Sequence, residues 1–282
     1  MQNKQHTNIT FPASPPPITS HRNPRIKHLR RLRERRYRDA CGDFLIEGTR
    51  EISRACASDY PIHAIYYCPD FLCSGDSASV SLLETIRNKE YPVFEVTSDV
   101  FRKVAYRDKP EGLLATAKQT KKTLSQVMLA ENPLIVVAAG LEKPGNLGTI
   151  LRSADATGVA AVIVCENATD IFNPNVVRGS TGTLFTVPVV EATPEDALAW
   201  LREKEITTIA TLPDAEANYT AIDMTHPTAL IVGSEADGLD DFWQRHAELA
   251  VTIPMLGCAD SLNVTNSLTV ILYEALRQRG LS

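Results

Sequence analysis

Two short motifs in the C-terminal half of the chain, the first of which runs from a loop into a predicted helix, carry polar side chains among glycines. The first has the pattern Asn-x-Gly-x-x-x-Arg and contains Asn146 and Arg152. The second has the pattern Gly-x-Glu-x-x-Gly and contains Glu235. A guanidinium binds a phosphate or a carboxylate through two parallel hydrogen bonds. Arg152 is therefore a candidate for holding an anionic group, although each pattern alone is weakly specific.

A third stretch, residues 253–276, is the one around which the chain is organised. It is predicted to open as a short strand, to pass through a loop of small residues and to continue as a helix. Apolar residues recur at helical spacing from Val264 to Leu276, and Ser261 or Asn263 can cap the helix. Small loop residues let a ligand lie against bare backbone groups. An ordinary strand–loop–helix connection has the same pattern, so both interpretations stay open for this stretch alone.

The elements that must position these loops alternate between strands and helices. Apolar runs predict buried strands over residues 133–140, 160–166, 206–212 and 229–233, with helices between them. A mostly parallel sheet covered by helices on both faces accommodates this order. The first strand–helix turn, LEKPGNLG, has no Gly-x-Gly-x-x-Gly or Gly-Lys-Ser pattern, which disfavours a dinucleotide site there. The candidate ligand loops instead follow the later strands.

A smaller α/β domain is predicted over residues 43–118, where short strands and helices also alternate. Before it, residues 21–38 contain nine Lys or Arg residues and one acid. We predict one basic helix here, with Asn23 as its N-cap. A solvated helix is the simpler interpretation, but the dominance of one sign favours contact with RNA phosphates. The candidate RNA-binding residues are Arg30, Arg31, Arg35 and Arg36.

Composition limits the remaining possibilities. The net charge of −5 argues against nucleic acid as a partner, but this average conceals the basic segment. The six cysteines form no Cys-x-x-Cys pair and stand beside no His ligand set in the sequence, so we predict reduced cysteines, no metal site and a cytoplasmic location. No apolar signal core or membrane span is predicted, and no membrane partner. Residues 1–20 are predicted to be a flexible tail and residues 121–132 a linker.

Together the three ordered motifs resemble the SpoU/TrmH-type RNA ribose 2′-O-methyltransferases of the SPOUT class. The resemblance covers residues 132–280, and a looser one relates residues 21–120 to the substrate-binding domain that often precedes the catalytic domain. It implies an α/β fold with a parallel sheet and a trefoil knot over residues 133–282, after a smaller α/β RNA-binding domain. It also implies S-adenosylmethionine as the cofactor, bound in the knot, and a homodimer with shared sites.

The resemblance also assigns roles to single residues. It implies a catalytic role for Arg152, often as the base for the hydroxyl. The high pKa of a guanidinium instead favours orientation of the hydroxyl and its phosphate. Arg178 resembles the second arginine of the family and would hold phosphate. The other implied catalytic residues are Asn146, Glu235, Ser261 and Asn263. The implied cofactor-binding residues are Leu212, Gly233, Ile253 and Leu262.

The expected activity is methylation of a ribose 2′-hydroxyl in structured RNA, with ribosomal RNA of the 23S type as the expected substrate. Methylation needs an in-line methyl donor, removal of the hydroxyl proton and a fixed neighbouring phosphate. Two alternatives stay open at this point. One is a methyltransferase that acts on transfer RNA, and the other is a non-catalytic RNA-binding protein that retains the fold. The presence of all the motif residues favours the enzyme.

Overall fold

The computed structural model describes residues 15–72, 77–166, 169–234 and 236–280. The chain divides into two compact units. The first comprises the described residues up to Thr120 together with Phe172–Phe185, and the second comprises Lys121–Ile171 and the described residues from Thr186 onwards. Within the described residues, no helix combines the length and the apolar character needed to cross a membrane.

The N-terminal part of the chain forms five helices and four strands among its described residues. In chain order they are α1 (Pro24–Arg31), α2 (Arg35–Cys41), β1 (Asp43–Glu47), α3 (Thr49–Ala57), β2 (Ile62–Tyr67), α4 (Ser77–Asn88), β3 (Val93–Glu95), α5 (Ser98–Val104) and β4 (Leu113–Lys118). The strands form a sheet in the order β1-β4-β2-β3, in which β4 is antiparallel to both neighbours and β2 and β3 are parallel. The predicted small α/β domain is confirmed.

The basic segment forms two short helices, so the prediction of one helix over residues 21–38 is wrong. Asn23 is the N-cap of α1, as predicted, and accepts a hydrogen bond from the backbone N–H of Arg25. The guanidinium of Arg38 is buried and donates to the carbonyls of Leu32 and Arg33. It thereby satisfies carbonyls at the end of α1 that a continuous helix would have paired with its own backbone.

The predicted flexible tail is too long at its C-terminal end. Ile18 is buried in the core that Leu29 and Val100 also line, and it forms a parallel bridge with Val96. Burial of this apolar side chain offsets the entropy cost of ordering the segment. Residues 1–14 lie outside the described part of the chain.

The rest of the chain supplies five further helices and seven further strands among the described residues. In chain order they are β5 (Leu134–Ala139), α6 (Pro144–Ala156), β6 (Ala161–Cys165), α7 (Pro174–Gly179), β7 (Val189–Ala192), α8 (Pro194–Glu203), β8 (Thr207–Thr211), β9 (Ala217–Asn218), β10 (Thr228–Val232), α9 (Asp241–His246), β11 (Leu249–Thr252) and α10 (Val264–Gln278).

The second unit contains one parallel sheet in the order β7-β6-β5-β10-β8-β11-β9. Every residue of the central strands β5 and β10 is buried, as expected for a sheet covered on both faces. On one face, Ile135, Val137 and Ile231 pack with Leu201 of α8 and Trp243 of α9. The parallel sheet predicted from the apolar runs is confirmed.

Residues 253–276 depart from the prediction at their start. The strand, β11, ends at Thr252, and residues 253–263 form a loop, so the prediction that the stretch opens as a strand is wrong. Pro254 has no N–H to donate to a ladder, which ends strand pairing beside it. The helix follows the prediction: Asn263 caps α10 by accepting from the N–H of Thr265, and Arg279 is the C-cap.

Two segments differ from their predicted surroundings. Leu124, Val127 and Leu129 of the predicted linker pack against the core of the second unit. The segment Phe172–Phe185, predicted within the catalytic domain, belongs to the first unit, where the rings of its two terminal phenylalanines lie 4.8 and 6.3 Å from that of Phe44. Aromatic packing across long sequence separations, which periodicity does not encode, determines this placement.

Candidate functional site

A cavity of about 670 Å³ lies at the carboxyl ends of three strands in the second unit. The strands β10, β8 and β11 are neighbours in the sheet, and the loops that follow them form its walls together with the start of α10. Carboxyl ends of neighbouring parallel strands meet at one edge, where ligands of α/β proteins usually bind. The volume lies within the range of roughly 300–1,000 Å³ typical of small-molecule sites.

The cavity brings together the residues that were predicted to bind the cofactor. Leu212 follows β8, Gly233 follows β10, Ile253 follows β11, and Leu262 lies in the loop before α10. Two of the predicted catalytic residues, Ser261 and Asn263, also line the cavity. The candidate ligand loops therefore converge although they are far apart in the sequence.

The lining has features suited to a polar ligand. The hydroxyl oxygen of Thr211 is buried and has no hydrogen-bond partner among the described residues. A buried hydroxyl without a partner is costly, so a ligand atom that pairs with it would bind favourably. Gly233 packs so closely against the backbone of Gly238 that an added Cβ would overlap its carbonyl group. Only glycine therefore allows this loop to fold against the cavity.

Asn263 has a structural role that its cavity position does not exclude. Its side-chain oxygen accepts hydrogen bonds from the N–H and the hydroxyl of Thr265, at 3.0 and 2.6 Å. These bonds fix the start of α10 and hold the asparagine at the cavity wall. The capping interpretation and the ligand-binding interpretation are thus both compatible with one geometry.

Asn146 and Arg152 lie on α6 and do not line the cavity of their own chain. Arg152 is exposed, and its side chain makes no hydrogen bond or ion pair with any described residue. The next residue, Ser153, has its hydroxyl 2.7 Å from that of Thr269, which ties α6 to α10. Arg152 therefore projects into solvent from a helix that is fixed against the helix capped by Asn263.

Lys143 and Thr211 line the cavity but were not predicted. Lys143 is the exposed N-cap of α6, directly before Pro144, and Thr211 is the last residue of β8. Each residue lies at the end of a helix or strand, beside a predicted ligand loop, and this position could have indicated that it lines the cavity. Glu235, the predicted catalytic acid of the second motif, lies outside the described residues.

A pair of carboxyl groups lies next to the cavity loops. Burial raises the pKa of Glu166, which follows β6, and the neighbouring carboxyl of Asp240 raises it further. Asp240 caps α9 by accepting from the N–H of Trp243. Glu166 therefore retains its proton to higher pH than an isolated glutamate would.

The predicted RNA-binding arginines of the basic segment are all exposed: Arg30, Arg31, Arg35 and Arg36. Arg31 stacks on the ring of Tyr37 at 3.9 Å, and Arg35 lies 3.8 Å from a carboxylate oxygen of Asp39. Arg33, by contrast, donates to the carbonyls of Val104 and Ala105. The first unit thus uses some of its basic side chains for structure and leaves others at the surface.

Arg178, the predicted phosphate ligand, is an exposed residue of α7 in the first unit. Asn173 caps this helix through the N–H of Asn175, whose side-chain amide donates to the hydroxyl of Tyr106. The helix is therefore held on both its cap and its surface, which fixes the position from which Arg178 extends.

Comparison with known proteins identifies both parts of the chain. Residues 133–273 match the SpoU rRNA Methylase family, and residues 23–115 match the MRM3-like substrate binding domain. A 23S rRNA (uridine(2479)-2′-O)-methyltransferase of Streptomyces viridochromogenes is 33% identical over 93% of this chain and 92% of its own length.

Solved structures with a similar fold match most of the chain. The crystal structure of an RNA 2′-O ribose methyltransferase has a TM-score of 0.82 and 42% identity, over 94% of this chain and 99% of that one. An AdoMet-bound rRNA methyltransferase from Sinorhizobium meliloti has a TM-score of 0.83 and 30% identity, over 92% and 97%. With the family model matching half of the chain and a relative spanning nearly all of it, this chain belongs to the SpoU rRNA methylase family.

Proposed function

We propose that this chain transfers the methyl group of S-adenosylmethionine to a ribose 2′-hydroxyl of 23S-type ribosomal RNA. The observation that carries the proposal is the cavity at the ends of β8, β10 and β11, lined by all four predicted cofactor residues. Relatives that match nearly the whole chain are named 23S rRNA 2′-O-methyltransferases, and a related structure contains AdoMet.

The residues of the cavity fit this cofactor. Leu212, Gly233, Ile253 and Leu262 would hold it through backbone groups and apolar side chains, and the hydroxyl of Thr211 would gain a hydrogen-bond partner. The bound cofactor supplies an electrophilic methyl group on a sulfonium. Ser261 and Asn263 offer short polar groups at the same wall.

Arg152 orients the substrate in this proposal. Its fork of N–H donors holds the ribose hydroxyl and a neighbouring phosphate in line with the methyl group. A guanidinium ordinarily keeps its proton near neutral pH, so orientation is its principal role and removal of the hydroxyl proton is left to another acceptor. Asn146, half-buried on the same helix, would fix the loop or the ribose, and Glu235 would orient an arginine.

The proposed active form is a homodimer with shared sites. Val270 and Tyr273 of α10 are exposed apolar side chains, and Leu256 in the adjacent loop is fully exposed. Burial of these side chains in a two-fold interface would offset the cost of their exposure to water. Arg152 lies outside the cavity of its own chain, which supports its use by the partner subunit.

A ribosomal RNA substrate also favours a cytoplasmic location.

The proposal is tested by mapping ribose methylation. Ribosomal RNA from cells that lack this protein is incubated with the purified chain and labelled cofactor, and methylated nucleotides are located by resistance of the adjacent bond to alkali. We expect one major 2′-O-methylated position that is absent without the enzyme. Methyl transfer to transfer RNA alone, or to no RNA at all, would contradict the proposed function.

Binding of the cofactor should need no metal and should depend on Leu262. We expect calorimetry with S-adenosylmethionine to give the same affinity with and without a chelator. Leu262→Arg introduces a long charged side chain at the cavity wall and should abolish binding. Leu249→Arg is the matched control, because Leu249 is equally exposed, at 37%, and does not line the cavity. Loss of binding in chelator, or in the control alone, would contradict this assignment.

The exposed arginines of the basic segment should supply RNA affinity and no chemistry. Replacing Arg30, Arg31, Arg35 and Arg36 with Gln should weaken RNA binding and reduce the slope of log K against log salt by about 0.7–0.9 for each phosphate that is no longer neutralised. Cofactor affinity should not change. The control replaces Arg202, Lys204 and Arg245, which are exposed on the second unit. An unchanged salt slope would identify the basic segment as a solvated surface.

A further inference from the structure

Four potential metal ligands come together in the first unit, although their sequence spacing predicts no metal site. His28 lies on α1, Cys41 ends α2, Asp43 begins β1 and His63 lies on β2. Ligand atoms of the first three lie within 4.8 Å of one another. The carboxylate of Asp43 lies 3.4 Å from Nε2 of His28 and 3.1 Å from Nε2 of His63. An imidazole, a thiol and a carboxylate therefore surround one small volume, and His63 lies against the other oxygen of the Asp43 carboxylate.

The local backbone explains how adjacent ligands converge. Gly42 ends α2 in the left-handed conformation, with φ of 72°, and its N–H donates to the carbonyl of Arg38. This turn reverses the chain between Cys41 and Asp43, so that both side chains reach the same volume. The thiol of Cys41 is exposed and makes a long contact, 3.6 Å, with the carbonyl of Arg38.

A hydrogen bond behind the cluster orients His28. Nδ1 of its ring lies 2.9 Å from the hydroxyl of Tyr37, which leaves Nε2 directed toward Asp43. Metal-bound histidines characteristically use the second ring nitrogen in this way, and the outer hydrogen bond fixes the ring. Tyr37 is itself held under the guanidinium of Arg31.

We propose that His28, Cys41 and Asp43 bind one zinc ion, with His63 holding the second oxygen of the Asp43 carboxylate. Imidazole, thiolate and carboxylate are the ligands that zinc takes in tetrahedral protein sites, at bond lengths of about 2.0–2.3 Å. Ligand atoms around such an ion stand roughly 3.3–3.8 Å apart, and the separation of 3.4 Å between His28 and Asp43 lies in this range. An ionised thiol and a carboxylate would balance the charge of the ion. Ligating carboxylates are themselves characteristically hydrogen-bonded, which is the role of His63 here.

The ion would connect the basic helices to the sheet. Its ligands come from α1, from the end of α2 and from the start of β1, so one ion would join these three elements. Because the ligands are brought together only in the folded unit, zinc binding would add to its stability. It would also fix α1, which carries Arg30 and Arg31 at its surface. The cavity in the second unit does not use this ion, so the metal-free cofactor binding predicted above is unaffected.

Cobalt substitution tests the proposal on the full-length protein. Chelator-treated protein is titrated with Co²⁺, and we expect one ion per chain, with the visible bands of tetrahedral cobalt and a thiolate-to-cobalt charge-transfer band. Zn²⁺ should displace the cobalt. Cys41→Ser should abolish the charge-transfer band, whereas Cys258→Ser, at the other exposed described cysteine, should leave it intact. Absence of the band in the unaltered protein, or its persistence in Cys41→Ser, would overturn the proposal.

Two further variants separate a metal site from a hydrogen-bonded cluster. Tyr37→Phe keeps the ring under Arg31 and should weaken zinc affinity about 10–100-fold, as loss of an outer hydrogen bond does. His28→Asn removes a direct ligand and should weaken it more. Zinc should raise the Tm of the unaltered protein and not that of His28→Asn. If zinc binds only at millimolar concentration, or raises both Tm values equally, these residues form a hydrogen-bonded cluster and not a zinc site.

Discussion

Arg152→Ala should lower the rate of methyl transfer about 100–1,000-fold without changing cofactor affinity. Removal of one preorganised donor that acts at the reacting group costs this much in other enzymes. Arg152 is exposed, forms no side-chain hydrogen bond or ion pair with the described residues, and does not line the cofactor cavity. Its removal should therefore leave folding and cofactor binding intact. Single-turnover methylation of ribosomal RNA and calorimetry with S-adenosylmethionine measure the two effects separately.

Two variants define the meaning of this loss. Arg202→Ala removes an exposed helix arginine from α8, outside the cavity, and should have near-normal activity. Arg152→Lys keeps the charge but loses the planar fork, so it should recover only part of the rate. Full activity of Arg152→Ala would show that the arginine is a surface residue, and an equal loss in Arg202→Ala would point to a general effect of surface charge on RNA binding.

The elements with strong periodicity could be predicted from the sequence. The apolar runs of β5 and β10 and the spacing of α10 are local patterns, and Asn263 caps the helix start where a short polar side chain was expected. The parallel sheet follows from the alternation of such elements. The family resemblance placed the ligand loops at the late strands, and Leu212, Gly233, Ile253 and Leu262 all line the cavity.

Features made by interactions between distant residues could not be predicted in this way. The guanidinium of Arg38 satisfies carbonyls at the break between the two basic helices. Packing of Phe172 and Phe185 near the ring of Phe44 places their segment in the first unit. His28, Cys41, Asp43 and His63 also come together only in the folded chain, because their spacing in the sequence matches no recognisable metal-binding motif. The trefoil knot depends on how the chain passes through one of its own loops, and it stays a prediction.

Co-expression of two inactive variants should restore activity if each site is shared between subunits. Arg152→Ala removes the orienting arginine, and Leu262→Arg blocks the cofactor cavity. In a mixed dimer, one site then carries both defects and the other carries none. With random assortment about half of the dimers are mixed and one of their two sites works, so activity should return to roughly a quarter of the unaltered level. Methylation of ribosomal RNA by the co-expressed variants measures it, and tags on the two chains allow the mixed dimers to be isolated.

The reciprocal pairing gives the opposite outcome and serves as the control. A chain with both substitutions is paired with an unaltered chain. In a shared-site dimer, one site then lacks its arginine and the other lacks its cofactor cavity, so the mixed dimer should be inactive. If each site instead belonged to one subunit, the unaltered chain would keep its activity here, and the two single variants could never complement each other. Well-folded mixed dimers that behave in this second way would refute the shared site and would require Arg152 to reach the cavity of its own chain.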